Sequence, residues 1–416
     1  MTGSDAAAGP PPAGAAASDR LLARVIREES ARIVAALTAA LGNLDLAEES
    51  VADAVKEALR EWRAKGVPPN PGGWLTQAAR HNAIDRMRRE KRYREKLALL
   101  AAPPPDESAE GADERLPLLF GCCHPALSPD AQLALTLRAV CGLTTAQIAR
   151  ATVSTPSAVG QRIVRAKRKI GAAGVPLRIP EGAKRAPRLD TVLAIVSAMY
   201  SEAHLVAGRD AAADRDVADD ALWLASVVVD ALPGEAEAHG LLALLLFHRA
   251  REDARAVDGE LVLLADQDRS RWDAALLAEA HRVLERAARL RRPGRWQLHA
   301  AIAACHSDAR AAADTDWRQV LALYDLLLAH DPSPIVRLNR AVALAEVSGA
   351  EPALAEVDAL ADALAPFHLW HAVRAHLLRR VGRGAEASVA DLRARELTAN
   401  DAERRLIERR LHGVGR

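Results

Sequence analysis

The chain has 416 residues, half of them hydrophobic but only 3% aromatic, so it is rich in helix formers and poor in bulky core anchors. A net charge of +1 means that any contact with nucleic acid must come from local basic patches. The four cysteines form no C-x-x-C pair, which argues against a disulfide framework and for reduced thiols in the cytoplasm, and no apolar run is long enough to span a membrane.

Residues 1–19 are Ala, Gly and Pro with little charge, and read as a disordered tail rather than a signal peptide. A first module spans 20–100. Leu22, Val25, Ile26, Ile33, Leu37 and Leu41 recur at helical spacing up to Gly42-Asn43. Asp45 is placed to cap the next helix, with Glu48 three residues on. Leu46, Val51, Val55, Leu59 and Trp62 mark its inner face; Asp45, Glu48, Glu49, Asp53 and Glu57 make it acidic elsewhere. An ordinary solvated face and a docking face both fit that charge pattern.

Pro68, Pro69, Pro71, Gly72 and Gly73 read as a loop, and Trp74 as the start of a helix through Leu75, Ala79, Ile84 and Met87. Arg80, Arg86, Arg88, Arg89, Lys91, Arg92, Arg94 and Lys96 crowd its C-terminal part. That density exceeds what a helix dipole calls for and predicts a surface that follows phosphates. Residues 101–114, Pro-rich and acidic, form a linker.

A second module spans 115–171. Ser128 and Pro129 open a helix that Gly142 ends; Thr144 or Thr145 caps a short helix carrying Ile148; Thr152–Ser154 turns the chain; Thr155-Pro156 opens a basic helix. There Val159 and Ile163 face inward, leaving Gln161, Arg162, Arg165, Lys167, Arg168 and Lys169 for solvent or phosphate. This is the layout of a helix-turn-helix, whose second helix enters the major groove. Cys122-Cys123-His124 lacks the spacing of a zinc finger and is assigned to core packing.

A second linker covers 172–188, and 189–416 is helical throughout. The stretch 335–349 resembles 368–382; each ends in Gly and is followed by an Ala-rich helix, 353–360 and 385–397. A period near 33–34 residues, two helices per unit, predicts an α-solenoid loosely like tetratricopeptide repeats. Asp266, Asp268 and Ser270 fail as a calcium loop because Arg271 and Leu277 stand where Gly and Glu are needed; Ser270 is expected to cap a helix there. His371 and His376 are five apart, a poor metal pair. No catalytic motif, metal site or cofactor loop is found, so the chain is not expected to be an enzyme.

Taken in order, L44-D-L-A-E-E-S-V-A-D-A-V, N70-P-G-G-W-L-T-Q-A-A-R-H-N-A-I-D-R-M-R-R-E, L118-L-F-G-C-C-H-P-A-L-S-P-D, T144-T-A-Q-I-A-R-A and Q161-R-I-V-R-A-K-R-K-I resemble sigma factors of bacterial RNA polymerase. The resemblance is to the extracytoplasmic-function type, in the subgroup with a long C-terminal helical extension. It implies an all-α protein of two small helical domains, the second a helix-turn-helix, followed by an α-solenoid. It also implies a transcription initiation factor whose partners are core RNA polymerase, at its clamp and flap, and promoter DNA. Asp45, Glu48, Glu49 and Asp53 would dock on the clamp. Arg80, His81, Asn82, Asp85, Arg86, Arg88, Arg89, Lys91 and Arg92 would recognise and open the −10 element. Thr155, Ser157, Ala158, Gln161, Arg162, Arg165, Lys167 and Arg168 would read the −35 element. The acidic linker would thread the RNA-exit path, and the solenoid would regulate or contact the core. His81 stands where the family usually has Asn, and Ala52-Asp53 where it has Gln-Glu. The alternative is a one-component helix-turn-helix regulator with a sensing solenoid.

Overall fold

The computed structural model describes residues 29–30, 32–90, 115–152, 154–173, 178–205, 217–257 and 260–413. The expected tail (1–19) and acidic linker (101–114) lie outside the described residues. The chain is all-α, and one small hairpin, Ala256–Val257 (β1) with Glu260–Leu261 (β2), is the sheet among the described residues. It divides into two compact units, Met1–Ile195 and Val196–Arg416.

The first unit begins with α1 (residues 32–41), α2 (Leu44–Lys65) and α3 (Pro71–Glu90). The cap of α2 is Asn43, whose side chain accepts from the Leu46 amide at 3.1 Å; Asp45 lies inside the first turn and is not the cap. Gly66 ends α2 at φ 84°, donating to the Trp62 carbonyl. The loop expected up to Gly73 is shorter. Asn70 accepts from the Gly73 amide at 2.8 Å, so the helix already starts at Pro71. Leu75, Ala79, Ala83 and Met87 recur every fourth residue and bury against Ala47, Val51, Ala54 and Ala58 of α2. Alanine at these positions brings the two backbones close. Trp62 and Trp74 close the end of the pair edge to face, 5.6 Å between ring centres. Burying a side chain the size of Leu75 contributes about 2 kcal/mol.

The same unit continues with α4 (Arg115–Cys122), α5 (Pro129–Ala139), α6 (Thr145–Ala151) and α7 (Pro156–Ala172). Ser128 precedes α5 as expected, but its side chain makes no capping bond; Pro129 supplies the start. Gly142 takes φ 71°, and the Leu143 amide reaches back to the Leu137 carbonyl at 2.9 Å, closing α5. Thr144 and Gln147 form a reciprocal capping box on α6, and Thr155 caps α7 by accepting from the Ala158 amide. α8 (Arg185–Leu205) starts inside the expected second linker. Near its start Arg188 donates to the Phe120 carbonyl.

All four cysteines are buried and free. Burial pushes the Cys122 thiol well up and Cys123 to about 12. Buried in this way, the thiols pack as small apolar groups.

The second unit follows from the end of α8 with α9 (Val217–Ala231) and α10 (Ala236–Arg249), then α11 (Glu252–Arg255) and the hairpin. After these come α12 (Ala274–Arg289), α13 (Arg295–Asp308), α14 (Trp317–Leu328) and α15 (Pro334–Ser348). It ends with α16 (Ala350–Asp358), α17 (Ala361–Leu364), α18 (His368–Arg380), α19 (Gly384–Leu397) and α20 (Asp401–Gly413). Successive helices pack as neighbours, and the middle of α10, from Gly240 to Phe247, is apolar all round because α9, α12 and α13 cover the helix. The two look-alike stretches are α15 and α18, each turned by a glycine with positive φ, Gly349 at 92° and Gly382 at 78°. Ser270 is not the cap of α12; Asp273 is, accepting from the amides of Ala275 and Leu276. Trp272 is buried as expected.

Candidate nucleic-acid interface

α7 is the second helix of a helix-turn-helix. Val159, Ile163 and Ala166 hold it against α5 and α6, so the opposite stripe faces outward: Ser157, Gln161, Val164, Arg165 and Arg168. These positions span more than two turns on one face, and two guanidiniums and an amide along such a stripe can meet phosphates and base edges. Val164, 55% exposed, is absent from the expected set. The signal for it is the run Ile163-Val164: with Val159, Ile163 and Ala166 forming the inward stripe at helical spacing, Val164 falls off that stripe onto the reading face, where it suits a thymine methyl.

The other expected residues of α7 are engaged within the chain. The Thr155 hydroxyl and the Ala158 amide are bonded to each other as the cap. Arg162 lies 3.6 Å from Asp130. Lys167 turns to the first module, with its ammonium 2.8 Å from both Asp45 and Glu48. Lys167 and Glu48 are only 13% and 14% exposed. Burial works against the Lys167 charge, but Glu48 and Asp45 outweigh it and hold its pKa above the ordinary lysine value.

On α3 the expected −10 residues also divide. Arg86 bridges α3 to α2, paired with Glu49 and, at 2.5 Å, with Asp53. The Arg86 hydrogen bond, reinforced by Lys56, holds the Asp53 carboxyl below its ordinary value. Asn82 lies 3.5 Å from the Ser50 carbonyl, at the α2–α3 seam. His81 is exposed, with Nδ1 3.0 Å from the Gln77 carbonyl. Asp85 and Arg88 are exposed and 3.8 Å apart, and Arg80 is half-buried. Lys91 and Arg92 fall outside the described residues, as does the side chain of Arg89. Among the described residues no group of His, Cys, Asp and Glu could hold a metal ion, and no helix is long and apolar enough to cross a membrane.

The helix-turn-helix has the sequence of a known transcription domain: residues 118–170 match the family described as sigma-70, region 4. That match supports a DNA-binding role in transcription for this helix-turn-helix domain. Residues 188–288 match a family of unknown function, DUF6596. The chain is 38% identical over 387 residues to "Uncharacterized protein R00370" of Rhizobium meliloti (strain 1021), covering 89% of this chain and 90% of that protein, and it belongs to the same family. No solved structure matches.

Proposed function

We propose that the chain is a sigma factor of the extracytoplasmic-function type that directs core RNA polymerase to particular promoters. The observation that carries this is the outward stripe Ser157, Gln161, Val164, Arg165 and Arg168 on the second helix of a region 4 helix-turn-helix. In this reading α7 reads the −35 element with that stripe. α3 contributes His81, Asp85, Arg88 and the basic residues after it to −10 recognition and melting, where single-strand capture needs cations and stacking surfaces. Glu49 and Asp53 with Arg86 fix α3 on α2, and the acidic face of α2 meets the polymerase clamp. The C-terminal unit of helix pairs is a fused, tetratricopeptide-like regulatory module.

The bond from Lys167 to Asp45 and Glu48 has a consequence for this reading. It ties the −35 helix to the docking acids, so the free factor is held closed and binding to the polymerase has to exchange Lys167 for other partners. Run-off transcription with purified core polymerase and genomic fragments tests the proposal. Promoter-specific transcripts with the full chain, lost on Arg165→Ala with Arg168→Ala, support it. Intact DNA binding without transcripts sinks it in favour of a one-component regulator. A form ending near Lys184 shows whether the C-terminal unit restrains or enables initiation.

A further inference from the structure

The second unit gathers three arginines, two of them over one tryptophan and the third near enough for its charge to act on Arg251. Arg251 follows α10, Arg255 ends α11, and Arg269 begins the turn Arg269–Arg271 before α12. The guanidiniums of Arg251 and Arg269 lie 5.8 and 4.4 Å from the centre of the buried Trp272 ring. Their hydrogen bonds go to uncharged acceptors. Arg251 donates to the Phe247 carbonyl at 3.3 Å and to His248 Nδ1 at 2.8 Å; Arg269 donates to the His306 carbonyl at 2.7 Å.

Among the described residues no carboxylate comes within ion-pair distance of any of the three. The adjacent acid, Glu252, is paired with Arg249, as is Asp219 at 2.8 Å. Glu252 and Asp314 act on Arg255 and Arg269 only through space. The indole N–H of Trp272 is buried without an acceptor among the described residues. The surroundings register the uncompensated charge. Burial, then the charges of Arg255 and Arg269, push Arg251 down to about 10. Burial, with the charges of Arg251 and Arg269, pushes His306 to about 4.

An arginine does not escape burial by losing its proton, so sheltered guanidiniums call for an anion. No carboxylate of the described residues supplies that anion. We infer that Arg251, Arg255 and Arg269 form an anion-binding site that takes a phosphoryl group. A single carboxylate would answer one guanidinium; a phosphoryl dianion accepts bidentate bonds from two or three at once. The Trp272 face fixes two of those guanidiniums in place before the ligand arrives. The site stands whether or not the chain acts at promoters.

The test is calorimetric titration and thermal melting of the full chain in chloride buffer at constant ionic strength, with inorganic phosphate and AMP as probes. Saturable phosphate binding, with a rise in melting temperature, is expected. Arg251→Met and Arg255→Met should each weaken it at least tenfold, while Arg282→Met, on the exposed face of α12, should leave it unchanged. AMP binding tighter than phosphate identifies a phosphate monoester as the ligand; equal or weaker binding identifies free phosphate. In phosphate-free chloride, Arg251→Met should melt no lower than the parent, because it removes an uncompensated cation. The inference is overturned if neither probe binds saturably, or if binding survives in both variants.

Discussion

At the scale of single residues, two positions in the second unit have consequences out of proportion to their size. Gly240 lies where α10 crosses α13: a Cβ there would sit 2.6 Å from the Gln297 backbone nitrogen and 3.0 Å from its Cα. Those atoms belong to the first turn of α13, which is held from α10 as well. Glu237 accepts from the amides of Trp296 and Gln297 and from the Gln297 side chain, at 2.8, 3.3 and 2.9 Å. The backbone cannot step aside without breaking those bonds. Gly240→Ala should therefore destabilise the unit by about 1–3 kcal/mol despite its better helix propensity, and urea unfolding measures it. A neutral or stabilising result would mean that the helices separate freely. His306 gives a pH dependence. Its folded pKa of about 4 lies below the ordinary 6.5, so between those values the unfolded chain binds the extra proton. Stability is present above pH 6.5 and is lost as pH falls toward 4, by about 3 kcal/mol at most. Melting curves in a buffer free of multivalent anions should show this loss, and His306→Gln should flatten it; an unchanged slope would exclude His306 as its source.

At the scale of elements, the bond between α7 and α2 is the one that sequence periodicity does not reach. Lys167 and Glu48 are 119 positions apart and both largely shielded from water. Lys167→Met leaves Glu48 with only Arg138 at 3.9 Å, and Glu48→Gln leaves Lys167 with only the exposed Asp45, so each should cost about 1–3 kcal/mol. The double variant should cost less than their sum, and a double-mutant cycle in urea should return a coupling of about 1–2 kcal/mol. Additive costs would remove the contact from solution. This also explains what is legible in the chain and what is not. The helix-turn-helix is readable because its signals are local: Pro129, Gly142, the Thr144–Gln147 box and Thr155-Pro156 act within a few residues of where they stand. Caps with two local competitors are misread, as with Asp45 against Asn43 and Ser270 against Asp273. Charge pairings stay out of reach for a different reason. Helical spacing says that Arg86 and Lys167 leave the core of their own helix, but not that acids on α2 wait for them. The arginines around Trp272 are invisible for the same reason: they come from separate turns and meet only in the fold.

At the scale of the molecule, the second unit does not end as an open stack of helix pairs ends, with a polar face turned to water. Its last helix returns to the hairpin that precedes α12. α20 packs along β2, burying Ala402 and Ile407, while Arg405 and Arg409 both reach Glu260, the former at 2.9 Å, and Arg409 Nη2 lies 3.5 Å from the Leu261 carbonyl. The two kinds of contact differ in weight. Glu260 and Arg405 are 38% and 45% exposed, and an ion pair so open to solvent contributes at most about 1 kcal/mol. A buried isoleucine contributes about 1.5–3 kcal/mol, and the helix brings the rest of its inner face with it. For a unit of this size each kcal/mol moves the melting point by about 2–4 °C. Removal of residues 401–416 should then lower the melting of the C-terminal unit by roughly 10 °C, and Glu260→Gln by no more than about 4 °C. Hydrogen exchange at Ala256, Val257, Glu260 and Leu261 should quicken in the truncated chain and stay slow in the point variant, because these strands lose their cover only in the first. If Glu260→Gln does as much damage as the truncation, the closure is electrostatic and the apolar face of α20 is incidental to it; if neither moves the melting point, the first and last parts of this unit are joined through α10 to α19 alone.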